Sequence, residues 1–424
     1  MSEYWGRTRD FQEIRVENGD SGMKKNQKAD SDPRRNIFSL GFASFFTDMS
    51  SEMVFSLLPT FLLSLPGSSI AILGFIEGFA EALSYALRAI SGIFSDKFRK
   101  RKLLVLIGYA MSNAFKPFFA IARTPLDVFA IRITDRVGKA IRTSPRDALL
   151  SESAPEKRRG AAFGLHRTLD QSGAIIGPII ASTALLTLGL TVRDIFWLSL
   201  IPGTAALLII LFAVKERVGK TDGNFQLLGG VKTVLRGNFS RLLVIVGIFS
   251  LGAFNFSFIL LNAIQAGIAD SFIPLVYAAV NVAHVAIAIP AGILSDKEGK
   301  EKVMLLGYIA FLFTAVLILL LPANGFNALL VAVFYGLYFG VVETVQRALV
   351  PGYVESSLRG TAYGVYYLTV GLAFFVSNAV VGGLWEYFGA SAASAYSIAT
   401  TIVAIVVMIL FLNKQKKANL AART

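Results

Sequence analysis

The feature that most constrains this chain is a succession of long apolar stretches. Twelve segments of about twenty mostly apolar residues can be marked, near 36–63, 69–94, 102–122, 126–150, 160–190, 194–214, 241–262, 271–294, 302–322, 326–350, 360–385 and 391–413. At about 1.5 Å per residue, each reaches across a hydrocarbon core roughly 30 Å thick. The pattern predicts an all-α integral membrane protein. Composition agrees, with 54% hydrophobic residues and a mean hydropathy of +0.60. On hydropathy alone, only the fourth segment is in doubt.

The net charge of +13 raises nucleic acid as a partner, but its placement argues against one. Lys and Arg gather in KFRKRK (97–102), EKRRG (156–160), the 215–241 stretch, DKEGKEK (296–302) and NKQKK (413–417), whereas the intervening loops hold little beyond Arg123 and Arg193. This is the positive-inside asymmetry, and it predicts both termini in the cytosol of a plasma-membrane protein, the inner membrane in a bacterium. No basic stripe carries the interleaved aromatics that base stacking needs. Residues 1–35 are polar and aperiodic and read as a disordered cytosolic tail, with Met23, ahead of KKNQK, a second candidate start.

Internal repeats give the organisation. SGIFSDKFRKRK (91–102) recurs as AGILSDKEGKEK (291–302), and RRGAAFGL (158–165) recurs as LRGTAYGV (358–365), both at an offset of 200 residues. Two matches at one spacing mean a duplicated six-helix unit. The expected domains are a bundle at 36–214, a polar cytosolic linker at 215–240, a second bundle at 241–413 and a tail at 414–424.

The repeated loop, with Gly92, Asp96 and Lys100 answered by Gly292, Asp296 and Lys300, resembles the G-x-x-x-D-x-x-G-R-R/K signature of the major facilitator superfamily. The resemblance covers residues 36–413. In the first copy Phe98 and Arg99 replace the usual Gly-Arg, whereas the second keeps Gly299 and Lys300. It implies twelve transmembrane helices in two six-helix bundles that rock about a midplane site. Independently of the family, Asp96 sits at a helix end beside five cations within 97–102 and can latch the cytosolic side through charge-assisted hydrogen bonds.

The fourth segment carries the chemistry. Arg132, Asp135, Arg136, Lys139, Arg142, Arg146 and Asp147 fall within an arc of roughly 140° on a helix. Exposed to lipid, seven charges would cost on the order of 20 kcal/mol, so this face must line water or protein. FFTDMSSEMVF (45–55) puts Asp48 and Glu52 one turn apart at a similar depth, and these two acids are the candidate proton-coupling groups. The expected substrate cavity comprises Arg132, Asp135, Arg136, Lys139 and Asp170 from the first half, with Asn255, Asn262 and Asn281 from the second. For Arg88, Arg146, Asp147 and Arg167, near the cytosolic ends, structural ion pairing is the reading.

On the fifth segment, Gly164, Gly173, Gly177 and Pro178 match the spacing of the antiporter motif of drug:proton exporters in the same superfamily, although Ala181 and Ser182 replace its final Gly-Gly. The resemblance implies proton-coupled export of a small-molecule solute. A symporter importing an organic anion or zwitterion would use the same cationic face and stays open. An enzyme lacks support: the chain has no Cys, two distant His and neither GxSxG nor HExxH. No cofactor or metal is expected, and the partners are substrate, protons and lipid around a monomer.

Overall fold

The computed structural model describes residues 33–98, 101–154, 159–216, 231–355 and 358–421. Within the helices, side chains at 88–98, 159–161, 347–348, 351, 359 and 416–421 are not among those described. Arg88, Gly92, Asp96 and Lys100, and the tail at 1–32, therefore lie outside the described side chains or residues.

Each of the twelve segments is helical. The first runs Pro33–Phe55 and resumes at Leu58–Leu63. Pro59 lacks an N–H and its ring crowds the carbonyl of Phe55, which accounts for the break. The third passes from an α-helix, Arg101–Phe115, into a 3-10 turn, Lys116–Ile121, with Pro117 at the junction. The fourth is one helix, Pro125–Ser153, started by a reciprocal cap between Thr124 and Asp127. The seventh breaks between Gly237–Gly252 and Phe256–Gln265, where Asn255 caps the second piece. Arg359–Ala421 spans 63 residues, about 95 Å if straight. Gly389, at φ 83, divides it into the eleventh and twelfth segments, a conformation glycine adopts without strain.

Among the described residues, nine helices are long and apolar enough to cross a membrane, one of them this broken pair. Two segments fall outside that group, the fourth and also the first. The expectation that hydropathy doubts only the fourth is thereby corrected. The first carries Thr47, Asp48, Ser50, Ser51 and Glu52 in mid-helix, and these lower its hydropathy for the reason the fourth is low: both face the polar interior.

The seventh helix begins at Gly237, inside the stretch expected as linker. At the other end of that stretch, Glu216 accepts hydrogen bonds from the free N–H groups of Arg101 and Lys102 at 3.1 and 2.9 Å, and Lys215 exchanges two backbone bonds with the Asn36 amide at 2.9 Å.

Core packing differs between the halves. In the second half one apolar cluster runs without interruption from Val234 to Phe411. In the first half there are two, one around Phe61, Phe119 and Phe196 and one around Ile37, Tyr109 and Ile210. The charged stretches of the first, third and fourth segments lie between these clusters along the chain, so a polar layer divides the core at mid-depth.

Candidate functional site

A cavity of about 470 Å³ lies between the halves. Its first-half wall carries Asp48, Glu52, Arg136, Lys139, Arg142 and Asp170, and its second-half wall includes Asn255 and Asn281. Seven of the ten expected coupling and cavity residues thus line one space, with Arg142 beside them. Arg132, Asp135 and Asn262 do not line it.

Arg132 is fully buried and turned away from the cavity. Its guanidinium holds Glu77 at 2.7 Å, lies 3.9 Å from Asp135 and stacks on Phe55 at 3.8 Å. Asp135 accepts from the Ser112 hydroxyl and interacts with Lys116 on the third segment. The helical wheel placed both on the charged face correctly, but the face is wide enough to divide: one edge meets the second and third segments, and the other meets the cavity. Asn262 sits in the short second piece of the seventh segment and does not line the cavity.

Lys116 is the residue that sequence reasoning missed. It is 0% exposed, and its ammonium reaches the Ser51 hydroxyl at 2.7 Å and the Thr47 carbonyl at 3.4 Å. A lysine inside the 102–122 stretch is a visible signal, since a charge within a span must face protein or water.

The glycines of the fifth segment set the position of the acids. Gly173 and Gly177 lie directly against the backbone of Phe45 and Met49, closer than any side chain would allow. Gly164 instead faces open space, so it takes no part in this crossing. Pro178 lies inside an unbroken helix, Arg159–Thr187. With the first and fifth segments this close, Asp48 comes beside Asp170. Asp170 also accepts from the Ser44 hydroxyl and pairs with Arg167 at 3.2 Å. Two neighbouring buried carboxyl groups disfavour carrying charge together. Glu52, one turn along, faces the Tyr277 hydroxyl of the opposite half and Lys139.

Other links also cross between the halves. Arg167 reaches Glu343 at 2.7 Å, and His284 lies 3.2 Å from the same carboxylate. The Asn281 amide donates to the Ala174 carbonyl at 3.2 Å. Nearer the 63–70 turn, Glu386 caps the N–H of Ile70 at 2.7 Å, and Gly74 and Gly78 pack on the backbone and side chains around Asn378. Within the first-half wall, Arg136 pairs with Glu81 at 2.5 Å and Arg146 with Asp147 at 2.9 Å. The second copy of the repeated loop turns at Gly299, φ 100; Gly292 adjoins Thr344, and Asp296 and Lys300 stand at the helix ends on either side.

A helical bundle divided into two halves around a charged central cavity defines a membrane carrier. The chain belongs to the major facilitator superfamily, whose family model matches residues 40–264 and 242–424. It is 33% identical over 373 residues to an uncharacterized MFS-type transporter, MJ1317, of Methanocaldococcus jannaschii, covering 87% of this chain and 92% of that one. It is 26% identical over 185 residues to the multidrug resistance protein MdtG of Proteus mirabilis, 43% and 44% of the two chains. Among solved structures, the nucleoside transporter NupG superposes with a TM-score of 0.70 at 15% identity over 89% of this chain and 98% of that one, which shows the fold. The chain is a multi-pass membrane protein of a secondary-transporter family, and these relatives and neighbours are transporters, not enzymes.

Proposed function

We propose that this protein is a proton-coupled exporter that exchanges a small solute for protons by alternating access, acting as a monomer in the plasma membrane with both termini in the cytosol. The observation that carries this reading is the Asp48 and Asp170 contact. Two neighbouring carboxyl groups change their joint proton content when hydration or a neighbouring charge changes. Arg167, bound to Asp170 and to Glu343 across the cavity, connects that pair to the movement of the halves. Rocking that parts Arg167 from Glu343 alters the charge facing Asp170. Glu52, linked to Tyr277 of the other half, is the second coupling group. Similarity to a multidrug resistance protein over part of the chain and the glycine spacing of the fifth segment support export.

The test uses proteoliposomes. Asp48→Asn or Glu52→Gln should abolish proton-driven transport while solute-for-solute counterflow persists, because exchange without net proton movement needs no titrating group. If both single variants keep full proton-driven flux, the coupling assignment is wrong. Direction is read in inside-out vesicles with an acidic interior: proton efflux on adding solute supports exchange, and further acidification of the lumen supports import.

Import by symport is the second reading, favoured by Arg142, a cavity cation with no carboxylate partner among the described residues. The two readings differ in charge. Exchange of one monovalent anion outward for one proton inward moves two positive charges inward, about 4.6 kcal/mol per 100 mV, whereas one-to-one symport moves none. A membrane potential imposed without a pH gradient drives the first and leaves the second unchanged.

A further inference from the structure

We infer that the cavity takes an organic anion with a flat aromatic body, its acidic head on Arg142 and its rings against the second-half wall. This rests on the transporter reading of the cavity but not on proton coupling. The first observation concerns which charges are already engaged. Glu81 holds Arg136, Asp147 holds Arg146, Glu343 holds Arg167, and Asp170 is shared by Arg167 and Asp48. Glu52 faces Tyr277 and Lys139, and its Oε2 lacks a hydrogen bond. A cationic solute would compete with the cations already facing these carboxylates. Arg142 is different. It lines the cavity at 3% exposure, its Nε and Nη1 are buried with no hydrogen-bond partner, and its guanidinium lies over the ring of Tyr109, 4.4 Å away. A desolvated guanidinium with unused donors is a ready partner for a planar carboxylate.

Its position is fixed by packing. Gly108 and Gly138 let the third and fourth segments cross in backbone contact, with the Arg142 Cβ against Gly108. The guanidinium is thus held on a rigid element before any solute arrives, which lowers the ordering cost of binding.

The second observation is the opposite wall. Tyr277, Tyr308, Tyr335, Tyr338, Tyr366 and Tyr367 all line the cavity. The hydroxyls of Tyr335 and Tyr366 are committed to the Phe254 carbonyl and Gln346, Tyr277 faces Glu52, and the Tyr308 hydroxyl is buried. What this wall offers a solute is therefore mainly ring surface, suited to stacking with another ring. A charged head on one side and rings on the other select an amphipathic aromatic anion over a small inorganic one.

Calorimetric titration of the purified protein in nanodiscs separates these features with four probes: indole-3-acetate, indole-3-acetamide, tryptamine and acetate. Indole-3-acetate should bind at least tenfold more tightly than the amide, the amine or acetate, the scale of a charge-assisted hydrogen bond. Arg142→Gln should remove that preference, and Arg142→Lys should restore part of it. Tyr367→Ala, on the opposite wall, should weaken both indole acids and amides and leave acetate unchanged. Equal binding of acid and amide, preference for the amine, wild-type affinity in a folded Arg142→Gln, or no binding by any probe at millimolar concentration overturns the inference. Proton movement driven by an amine would refute this inference and leave the coupling reading intact, while acid binding without proton movement would do the reverse.

Discussion

Replacing Arg132 should destabilise the protein without touching its solute. The side chain is sealed at 0% exposure, with Glu77 at 2.7 Å and Phe55 at 3.8 Å. Removing one member of a buried pair costs about 3–5 kcal/mol, most of it the penalty of leaving the other charge desolvated. The lost contact with the Phe55 ring adds up to about 2 kcal/mol. Two features moderate this: Arg132 Nε and Nη1 have no acceptor, and Asp135 keeps Ser112 and Lys116. Arg132→Met should therefore lower the unfolding free energy by about 3–5 kcal/mol in total. The double variant Arg132→Met with Glu77→Leu, which removes both charges, should return to within about 1 kcal/mol of the parent. Reversible unfolding in mixed micelles, followed by circular dichroism, gives both numbers, and probe binding is measured on the folded fraction. Unchanged stability together with lost binding in Arg132→Met would show that this arginine reaches the solute, contrary to the buried geometry.

Two further predictions concern helix packing and the repeated loop. Gly173→Val places a branched side chain where the Phe45 backbone lies; it should cost about 1–3 kcal/mol and part Asp48 from Asp170, so proton-driven flux falls while counterflow persists, and equal loss of both would refute the link between that crossing and coupling. Asp96→Asn should open the cytosolic side more than Asp296→Asn does, read by maleimide labelling of a single cysteine placed at Ala174 on this cysteine-free chain; equal labelling in the parent and Asp96→Asn would remove the latch.

Much of the architecture was legible because lipid simplifies the code: a span needs length and apolarity, and the 200-residue repeat needs only matching letters. Where the code failed, the cause was a neighbour. The first segment reads as poorly apolar because Asp48 and Glu52 face the interior, as the fourth does. On the fourth, the wheel groups Arg132 with Arg136, and no sequence rule says that a turn of helix separates a residue facing Glu77 from one facing the cavity. Asp170 was placed in the cavity from the start, but its contact with Asp48 depends on how closely two helices approach. Gly173 and Gly177 carried that information, legible as small residues and silent about which helix they admit. The tyrosines of the second half gave no signal, since aromatic residues in a span are ordinary core until a cavity is seen beside them.

The asymmetry of the cores bears on how the two halves divide the work. A polar layer between two apolar clusters makes the first half costly to rearrange internally, since any shift within it exposes a charge or separates a pair. The second half, with one continuous apolar core, presents the cavity with rings whose packing partners are other rings: Tyr335 lies 5.4 Å from Tyr338, and Tyr366 lies 5.8 Å from Tyr367. A solute stacked on that wall moves with it. On the proposed rocking, the ring-bearing half and its Glu343 move relative to the charges of the first half. The groups placed to sense that movement are Glu52, which faces Tyr277, and Asp170 through Arg167 and Glu343. Substitutions at Tyr338 or Tyr367 should alter affinity first, substitutions at Arg167 or Glu343 should alter coupling first, and Tyr277, which belongs to both the ring wall and the boundary, should alter both.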